Sequence, residues 1–161
     1  MTEGNERYAI AVHALENYGD DIYRLSFVYM KNKEDSEDIV QETLMKLLQN
    51  DYDFENENHL KSWLLRVAIN LCKNRLKSSF KKEVQLDDTY LESKSYSMEE
   101  PNEILDAILN LDEQYRTVIH LFYYEQYSTK EIALIINKKE GTVRSLLSRG
   151  RNKLKKIMQT N

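Results

Sequence analysis

Two segments of this sequence concentrate the side chains best suited to binding phosphate groups. Residues 138–156 contain eight lysines and arginines and a single acid, and residues 61–82 contain seven basic residues and no acid. Such cations neutralise nucleic-acid phosphates, and short polar side chains between them allow close approach to base edges. The net charge of −4 does not exclude this chemistry, because an approaching polyanion responds to the local field rather than to the sum.

The other reactive side chains predict neither catalysis nor a bound metal. Cys72 is the only cysteine, and the three histidines lie in different segments, without the short spacing of metal ligands. The sequence contains no recognisable carboxylate pair, nucleophile–base set or phosphate-binding loop. We therefore expect a binding protein that is not an enzyme and has no cofactor or metal. An enzyme that acts on nucleic acid is the weakest alternative.

The elements that must position these residues are predicted to be helices. Four glycines and one proline in 161 residues are too few for a turn-rich all-β protein. Apolar residues recur at helical spacing in four segments, which are residues 6–30, 34–50, 60–79 and 104–158. Residues 80–101 are polar and acidic, as is typical of a flexible linker. The sequence thus predicts an all-α protein in which two small helical domains, residues 1–79 and 102–161, are joined by that linker.

No segment of the sequence predicts insertion into a membrane. A membrane-spanning helix needs a run of about 18 or more apolar residues, and none is present. The N-terminal residues also lack the basic and then apolar pattern of a signal peptide. We therefore expect a cytoplasmic protein.

The C-terminal basic segment predicts a helix-turn-helix. Ser128 and Glu131 have the spacing of a capping box, a short apolar helix follows, and a tight turn leads to a long basic helix from Glu140. One face of that helix is apolar and the other is basic with short hydroxyls, so we predict DNA contact rather than a merely solvated charged face. The predicted contacts are Arg144, Ser145, Ser148, Arg149, Arg151 and Asn152.

Two further helix faces predict binding. Residues 60–77 are mostly apolar, but one narrow stripe carries basic and amide side chains beside Trp63, a combination suited to unstacked bases. A core anchor is the alternative for Trp63. Residues 34–48 carry carboxylates, amides and Met45 opposite their apolar half, which predicts a protein-docking face, with a solvated acidic helix as the alternative.

In this order and spacing, the three motifs resemble those of extracytoplasmic-function sigma factors. Residues 35–43 (DSEDIVQET) resemble the family's helix for docking on the polymerase clamp, and residues 61–70 (KSWLLRVAIN) resemble its segment that reads the −10 element. Residues 128–151 resemble its helix-turn-helix that reads the −35 element. The resemblance covers nearly the whole chain apart from the linker. It implies sigma domains 2 and 4, no catalysis, and binding to promoter DNA and to the clamp helices and flap of core RNA polymerase.

The resemblance also implies a role for each set of residues. The polymerase-binding residues would be Asp35, Asp38, Gln41, Glu42 and Met45. The residues at the −10 element would be Phe54, Lys61, Trp63, Arg66, Asn70, Lys73, Asn74 and Lys77. Phe54 and Asn70 would lie at the pocket for a flipped base. The residues at the −35 element would be Arg144, Ser145, Ser148, Arg149, Arg151 and Asn152, with Arg116 on a phosphate.

Two positions depart from the family pattern. Leu146 stands where the family often has arginine or lysine, so we expect one base or phosphate contact to be missing and the −35 preference to differ from that of relatives. Gly150 stands where alanine is common, and glycine is expected to loosen the helix by about 0.5–1 kcal/mol. The acidic linker would imitate nucleic acid inside the polymerase, as the family's linkers do.

The resemblance further implies a protein inhibitor. Family members are commonly held inactive by an anti-sigma factor, often membrane-anchored, and we predict such a partner for the surfaces named above. The alternative is a self-sufficient helix-turn-helix regulator whose N-terminal domain dimerises or senses a ligand. The basic stripe within residues 61–82 argues against this alternative, because neither a dimerisation domain nor a sensor domain needs one.

Overall fold

The computed structural model describes residues 2–51, 53–83 and 103–159, and within these ranges it contains helices and no strands. The helices are α1 (Thr2–Met30), α2 (Lys33–Leu48), α3 (Glu57–Glu83), α4 (Glu103–Leu109), α5 (Glu113–Ile119), a π-helical turn (His120–Tyr124), α6 (Thr129–Ile136) and α7 (Glu140–Gln159). They form two compact units, α1–α3 and α4–α7. The prediction of an all-α fold with two small helical domains is confirmed. Most of the predicted linker, residues 84–101, lies outside the described residues.

The first unit is a bundle of three long helices. Its largest fully buried apolar side chains come from all three of them and are Ile22, Leu25, Ile39, Leu64, Leu65 and Ile69. The hydroxyls of Ser26 and Thr43 are buried as well, and each donates to the carbonyl four residues earlier, at 2.6 and 2.7 Å. These two buried hydroxyls are thus satisfied within their own helices.

Asparagine side chains begin two of these helices. Lys31 adopts a left-handed conformation with φ of 64° after α1, and Asn32 then caps α2 by accepting a hydrogen bond of 2.8 Å from the Asp35 amide. Asn56 accepts a bond of 2.8 Å from the His59 amide at the start of α3. No glycine or proline interrupts α3, which therefore continues four residues into the segment predicted to be linker.

The second unit contains the predicted helix-turn-helix. The capping box is confirmed, because the Glu131 amide donates to Ser128 Oγ and the Ser128 amide donates to Glu131 Oε1, both at 3.1 Å. Asn137 then turns the chain with left-handed angles of φ 56° and ψ 54°. The Lys138 amide bonds the Ala133 carbonyl at 2.9 Å and closes the end of α6 before α7 begins.

Helix α7 packs its apolar face on α5 and α6. Val143, Leu146, Leu147 and Gly150 are buried, so Leu146 belongs to the core face of the helix, as its place in the apolar arc predicted. Gly150 differs from expectation. It does not merely loosen the helix, because a Cβ atom at this position would lie 3.4 Å from Tyr115 Cβ. The glycine allows α7 to approach α5 closely.

Candidate nucleic-acid and protein interfaces

The exposed face of α7 carries the six residues predicted from the helix-turn-helix pattern. Arg144, Ser145, Ser148, Arg149, Arg151 and Asn152 are all exposed, whereas the opposite face of the helix is buried. Lys155 and Lys156 are also exposed and continue the charge towards the C-terminal end of α7. The result is a cationic helix surface with two short serines among the long side chains. Such a surface fits a major groove between its phosphates.

Glu140, the single acid of residues 138–156, has a structural role. Glu140 Oε1 accepts a hydrogen bond of 2.9 Å from Thr129 Oγ1 at the start of α6, and Arg144 Nη1 lies 3.2 Å from the same oxygen. Glu140 therefore links the two helices of the helix-turn-helix and pairs with the guanidinium of Arg144, whose side chain remains 62% exposed. The sequence pattern did not identify Thr129 or Glu140, because their contact joins residues from different helices.

Tyr123 is a further residue that the sequence pattern did not identify. Arg151 Nη1 donates a hydrogen bond of 3.0 Å to Tyr123 Oη, although the two residues are far apart in the chain. Tyr123 belongs to the π-helical turn and is 52% exposed. It stands in a run of apolar and aromatic residues (LFYY), a pattern that is typical of core residues. The sequence therefore did not indicate its position beside the basic face of α7.

Arg116 does not lie with the other predicted −35 residues, and its burial argues against the expected role on a phosphate. Its side chain is buried, with 6% exposed, in the middle of α5. The guanidinium donates to the carbonyl of Leu111 at 2.9 Å and to that of Leu109 at 3.4 Å. These bonds satisfy the carbonyls at the end of α4, so Arg116 ties α4 to α5 inside the unit.

The stripe predicted on α3 is present in the first unit. Arg66, Asn70, Asn74 and Lys77 are exposed and Lys73 is half-buried, at spacings of three or four residues along the helix. Between Arg66 and Lys77 the stripe covers about 16 Å, at a rise of roughly 1.5 Å per residue. It therefore offers alternating amides and cations over the length of several nucleotides.

Aromatic rings lie at the N-terminal end of this stripe. The ring of Phe54 is 5.5 Å from that of Trp63 and 5.3 Å from that of His59, both edge to face. The segment just before α3 is held by the Glu55 amide, which donates a hydrogen bond of 3.1 Å to His59 Nδ1. Phe54 and Trp63 are both half-buried, so part of each side chain remains accessible. The structure thus brings these two predicted residues together.

Lys61 is engaged within the unit. Its Nζ lies 4.0 Å from Asp21 Oδ1 on α1, and its side chain is only 24% exposed. One turn earlier, Glu57 binds His13 Nε2 at 2.9 Å and accepts a hydrogen bond from the Tyr18 hydroxyl. Lys61 therefore belongs to a polar seam that fastens the start of α3 to α1, and it differs in this from the other residues of the stripe.

Ionisation in this seam is shifted by burial and by the shared hydrogen bonds. Partial burial, followed by the hydrogen bond to Glu57, raises the pKa of Tyr18 from 10.0 to about 12. Hydrogen bonds from His13 and Tyr18 lower the pKa of the Glu57 carboxyl. The seam is consequently most favourable with Glu57 ionised and Tyr18 protonated.

The acidic face of α2 converges on one cation. Arg75 on α3 lies 3.6 Å from Asp35 Oδ1, 3.3 Å from Asp38 Oδ2 and 3.4 Å from Glu42 Oε1. The carboxylate side chains remain 38–52% exposed, so they can still meet a partner. Gln41 and Met45 of the same helix are exposed, Met45 by 55%. The five predicted docking residues thus belong to one helix, with Arg75 at its edge.

The part of the chain that the structure describes holds no group of three or more potential metal ligands. Cys72 is buried in the first unit as a free thiol. Among residues 2–51, 53–83 and 103–159, no helix is sufficiently long and apolar to cross a bilayer.

Comparison with known families assigns both units. The family model for sigma-70 region 2 matches residues 14–80, and the family model for sigma-70 region 4 matches residues 102–154. The first match covers α2, most of α1 and α3 with its polar stripe, and the second covers the helix-turn-helix. Each family model therefore includes one of the two basic helix faces described above.

Individual proteins show the same similarity along the chain. The chain is 31% identical over 159 residues to the ECF RNA polymerase sigma factor SigW of Bacillus subtilis, covering 88% of this chain and 85% of the relative. It is 33% identical over 144 residues to the RNA polymerase sigma factor SigV of the same organism, covering 88% and 86%. Among solved structures, the sigma factor RpoE in complex with the anti-sigma factor NepR from Bartonella quintana matches 92% of this chain and 96% of its own, with a TM-score of 0.73 and 23% identity.

Proposed function

We propose that this chain, which belongs to the extracytoplasmic-function RNA polymerase sigma factors of the sigma-70 family, divides its work among three helix faces. As a sigma factor of this type it binds core RNA polymerase and directs transcription initiation at promoters with particular −10 and −35 elements. The proposal concerns which residues perform each task. In it, residues 1–79 act as sigma domain 2 and residues 102–161 as sigma domain 4.

The exposed face of α7 is proposed to read the −35 element. The observation that carries this assignment is the combination of an exposed cationic face with a buried apolar face on the second helix of a helix-turn-helix. Arginine can bond guanine edges bidentately, and short serines let the helix approach the bases. Arg144 and Arg149 are the main candidates, with Ser145, Ser148, Arg151 and Asn152 around them.

The stripe on α3 is proposed to hold the −10 element as separated bases. Exposed amides and cations adjoin the Phe54 and Trp63 rings, and together they can bond base edges, stack on bases and neutralise phosphates. Asn70, Asn74, Arg66, Lys73 and Lys77 are the polar contacts in this proposal. Lys61 contributes mainly by fixing the start of α3, because it pairs with Asp21.

The acidic face of α2 is proposed to dock on core polymerase. Asp35, Asp38 and Glu42 provide charge, and exposed Met45 provides an adaptable apolar contact beside Gln41. A positively charged surface at the polymerase clamp helices would complement this face. A separate contact with the polymerase flap is proposed for the second unit.

An anti-sigma factor is proposed as the regulatory partner. The related sigma factor RpoE from Bartonella quintana has been crystallised with the anti-sigma factor NepR, which supports the same kind of partner here. We propose that this partner is membrane-anchored and covers the polymerase-facing or DNA-facing surfaces. The sigma factor itself would act in the cytoplasm and would not catalyse a reaction of its own.

The test is reconstitution with core RNA polymerase. The purified chain should co-purify with core enzyme, and the mixture should initiate transcription on a promoter selected from a randomised library, while core enzyme alone should not. The stand-alone regulator makes the opposite prediction. Tight, sequence-specific DNA binding by the isolated chain, with no association with polymerase, would favour that alternative.

A further inference from the structure

Tyr123 and Arg151 connect the π-helical turn with the cationic face of α7. Arg151 stands two helical turns after Arg144, and a spacing of seven residues places both on the same side of an α-helix. Arg151 is exposed, but its guanidinium is held in place because Nη1 donates a hydrogen bond of 3.0 Å to Tyr123 Oη. One member of the proposed −35 surface is therefore held by a residue outside the helix-turn-helix.

The π-helical turn determines where the phenol lies. The Glu125 amide bonds the His120 carbonyl at 3.1 Å, a five-residue spacing that widens the turn relative to an α-helix. The edge of the Phe122 ring contacts the Tyr123 ring, with centroids 5.0 Å apart and planes at 77°. Neighbouring rings and an unusual backbone turn thus place Tyr123 at the surface.

The exposure of Tyr123 sets it apart from the core tyrosines of this unit. A tyrosine that served the core would bury its ring, as Tyr115 and Tyr127 do at 7% and 6% exposed. Tyr123 and its neighbour Tyr124 are instead 52% and 49% exposed. Of these two exposed tyrosines, Tyr123 accepts a hydrogen bond from the exposed Arg151, whereas the ring of Tyr124 stacks on His120. This combination indicates a task at the surface, next to the basic face.

We propose that Tyr123 is a positioning residue for promoter binding, which orders the Arg151 guanidinium before DNA arrives. The inference rests on the proposed role of the α7 face at the −35 element. A guanidinium has five N–H donors, so the bond to the phenol leaves others for a phosphate. An arginine that is already held loses less rotamer freedom on binding than one that samples solvent. Tyr123 therefore acts on DNA affinity through Arg151.

The test is a double-mutant cycle in the reconstituted holoenzyme. The probe is duplex promoter DNA selected by the unmodified holoenzyme from a randomised library, and equilibrium affinity is measured at fixed salt. Tyr123→Phe keeps the ring and removes only the hydroxyl, and it should weaken binding about three- to tenfold, as expected when one further side chain must lose its rotamer freedom on binding. Arg151→Ala should weaken binding at least as much. The double variant should bind no more weakly than Arg151→Ala alone.

Tyr124→Phe is the matched control. It removes the hydroxyl of the adjacent tyrosine, whose ring stacks on His120 with centroids 5.0 Å apart, and it should leave promoter affinity unchanged. The thermal unfolding temperature of Tyr123→Phe should also stay close to that of the unmodified chain. A purely structural hydrogen bond would have the opposite signature, because its loss would lower stability without lowering DNA affinity through Arg151.

The outcomes separate this inference from the proposed function. If Tyr123→Phe binds as the unmodified protein does, or weakens binding equally in the Arg151→Ala background, the positioning role is wrong. If Arg151→Ala itself leaves promoter affinity and its salt dependence unchanged, the fault lies with the proposed −35 role of Arg151. A lost phosphate contact should lower the slope of log affinity against log salt by about one.

Discussion

Gly150 on α7 lies so close to Ile119 on α5 that a Cβ atom at position 150 would come within 2.9 Å of Ile119 Cδ1. Ile119 is itself buried, with 3% of its surface exposed, so its side chain has little room to move aside. This contact sets the distance between α7 and α5. The stability of the second unit should therefore depend on the absence of a side chain at position 150.

We expect Gly150→Ala to destabilise the second unit. Helix propensity favours alanine by roughly 0.8–1 kcal/mol, but overpacking a filled core costs about 1–3 kcal/mol, so the expected net loss is about 1 kcal/mol. Urea unfolding followed by circular dichroism measures this. Gly141→Ala is the control, because the nearest atom to its added Cβ is Arg144 Nη2 at 3.8 Å. A stabilising effect of Gly150→Ala equal to that of the control would contradict the packing role.

We expect Arg116→Ala to lower the stability of the second unit and not to change DNA binding directly. Truncation leaves the Leu111 carbonyl without its partner at 2.9 Å, and a buried acceptor that loses its donor costs about 1–3 kcal/mol. Thermal unfolding of the second unit should report the loss. At a temperature where the variant stays folded, the salt dependence of promoter binding by the holoenzyme should be unchanged. A reduced salt slope with normal stability would restore Arg116 as a phosphate contact.

The proposed division between DNA reading and polymerase docking predicts two opposite defects. Arg144→Ala combined with Arg149→Ala should abolish −35-dependent transcription while core polymerase binding is retained, because both side chains belong to the exposed face of α7. Asp38→Arg should reverse a charge on α2 and weaken core binding, while an isolated −35 interaction remains. Pull-down and in vitro transcription measure both activities. Loss of both activities in each variant would refute the assignment of separate tasks.

The pKa of Tyr18 predicts alkaline loss of stability in the first unit. Its folded value of about 12 exceeds the ordinary 10.0, so the protonated hydroxyl stabilises the fold below pH 10 and this contribution disappears as the pH rises towards 12. The sequence contains a single tryptophan, Trp63, so its fluorescence follows unfolding of this unit. Tyr18→Phe should flatten the stability profile between about pH 10 and 12. An unchanged profile would exclude the contribution of Tyr18.

The sequence predicted the architecture well because periodicity and capping signals are local. The apolar arcs of α2 and α7 and the capping box of Ser128 and Glu131 depend on neighbours within a few residues. The packing roles of Arg116 and Gly150 could not be predicted in this way, because they depend on contacts across helices. A buried arginine that bonds carbonyls has the same sequence signature as an exposed arginine that could bind phosphate.

The contacts added by the structure are also long-range. Arg75 meets carboxylates 33 to 40 residues earlier, and Arg151 meets Tyr123 across 28 residues. No periodic pattern encodes such pairs, because each depends on how two helices pack. Sequence reading thus found the helix faces proposed for binding, but it missed the residues that hold those faces in place.

Arg75 allows a last prediction, which concerns the strength of docking. Asp35, Asp38 and Glu42 stand three or four residues apart on α2, where like charges repel, and Arg75 offsets that repulsion from 3.3–3.6 Å. Because the groups are partly exposed, removal of the cation in Arg75→Gln should cost stability only up to about 1 kcal/mol. The same change makes the face more negative, so it should bind a positively charged polymerase surface more tightly at low salt.

Core polymerase affinity measured at several salt concentrations tests this prediction. Lys33→Gln is the matched control, since it removes one positive charge from α2 at a residue that pairs only weakly with Glu37, at 3.9 Å. Arg75→Lys should restore near-normal affinity, because it keeps the charge. If Arg75→Gln weakens docking while Trp63 fluorescence reports an intact fold, Arg75 itself contacts the polymerase and does not compete with it. Tighter docking that vanishes at high salt would instead establish Arg75 as an internal competitor for the carboxylates of α2.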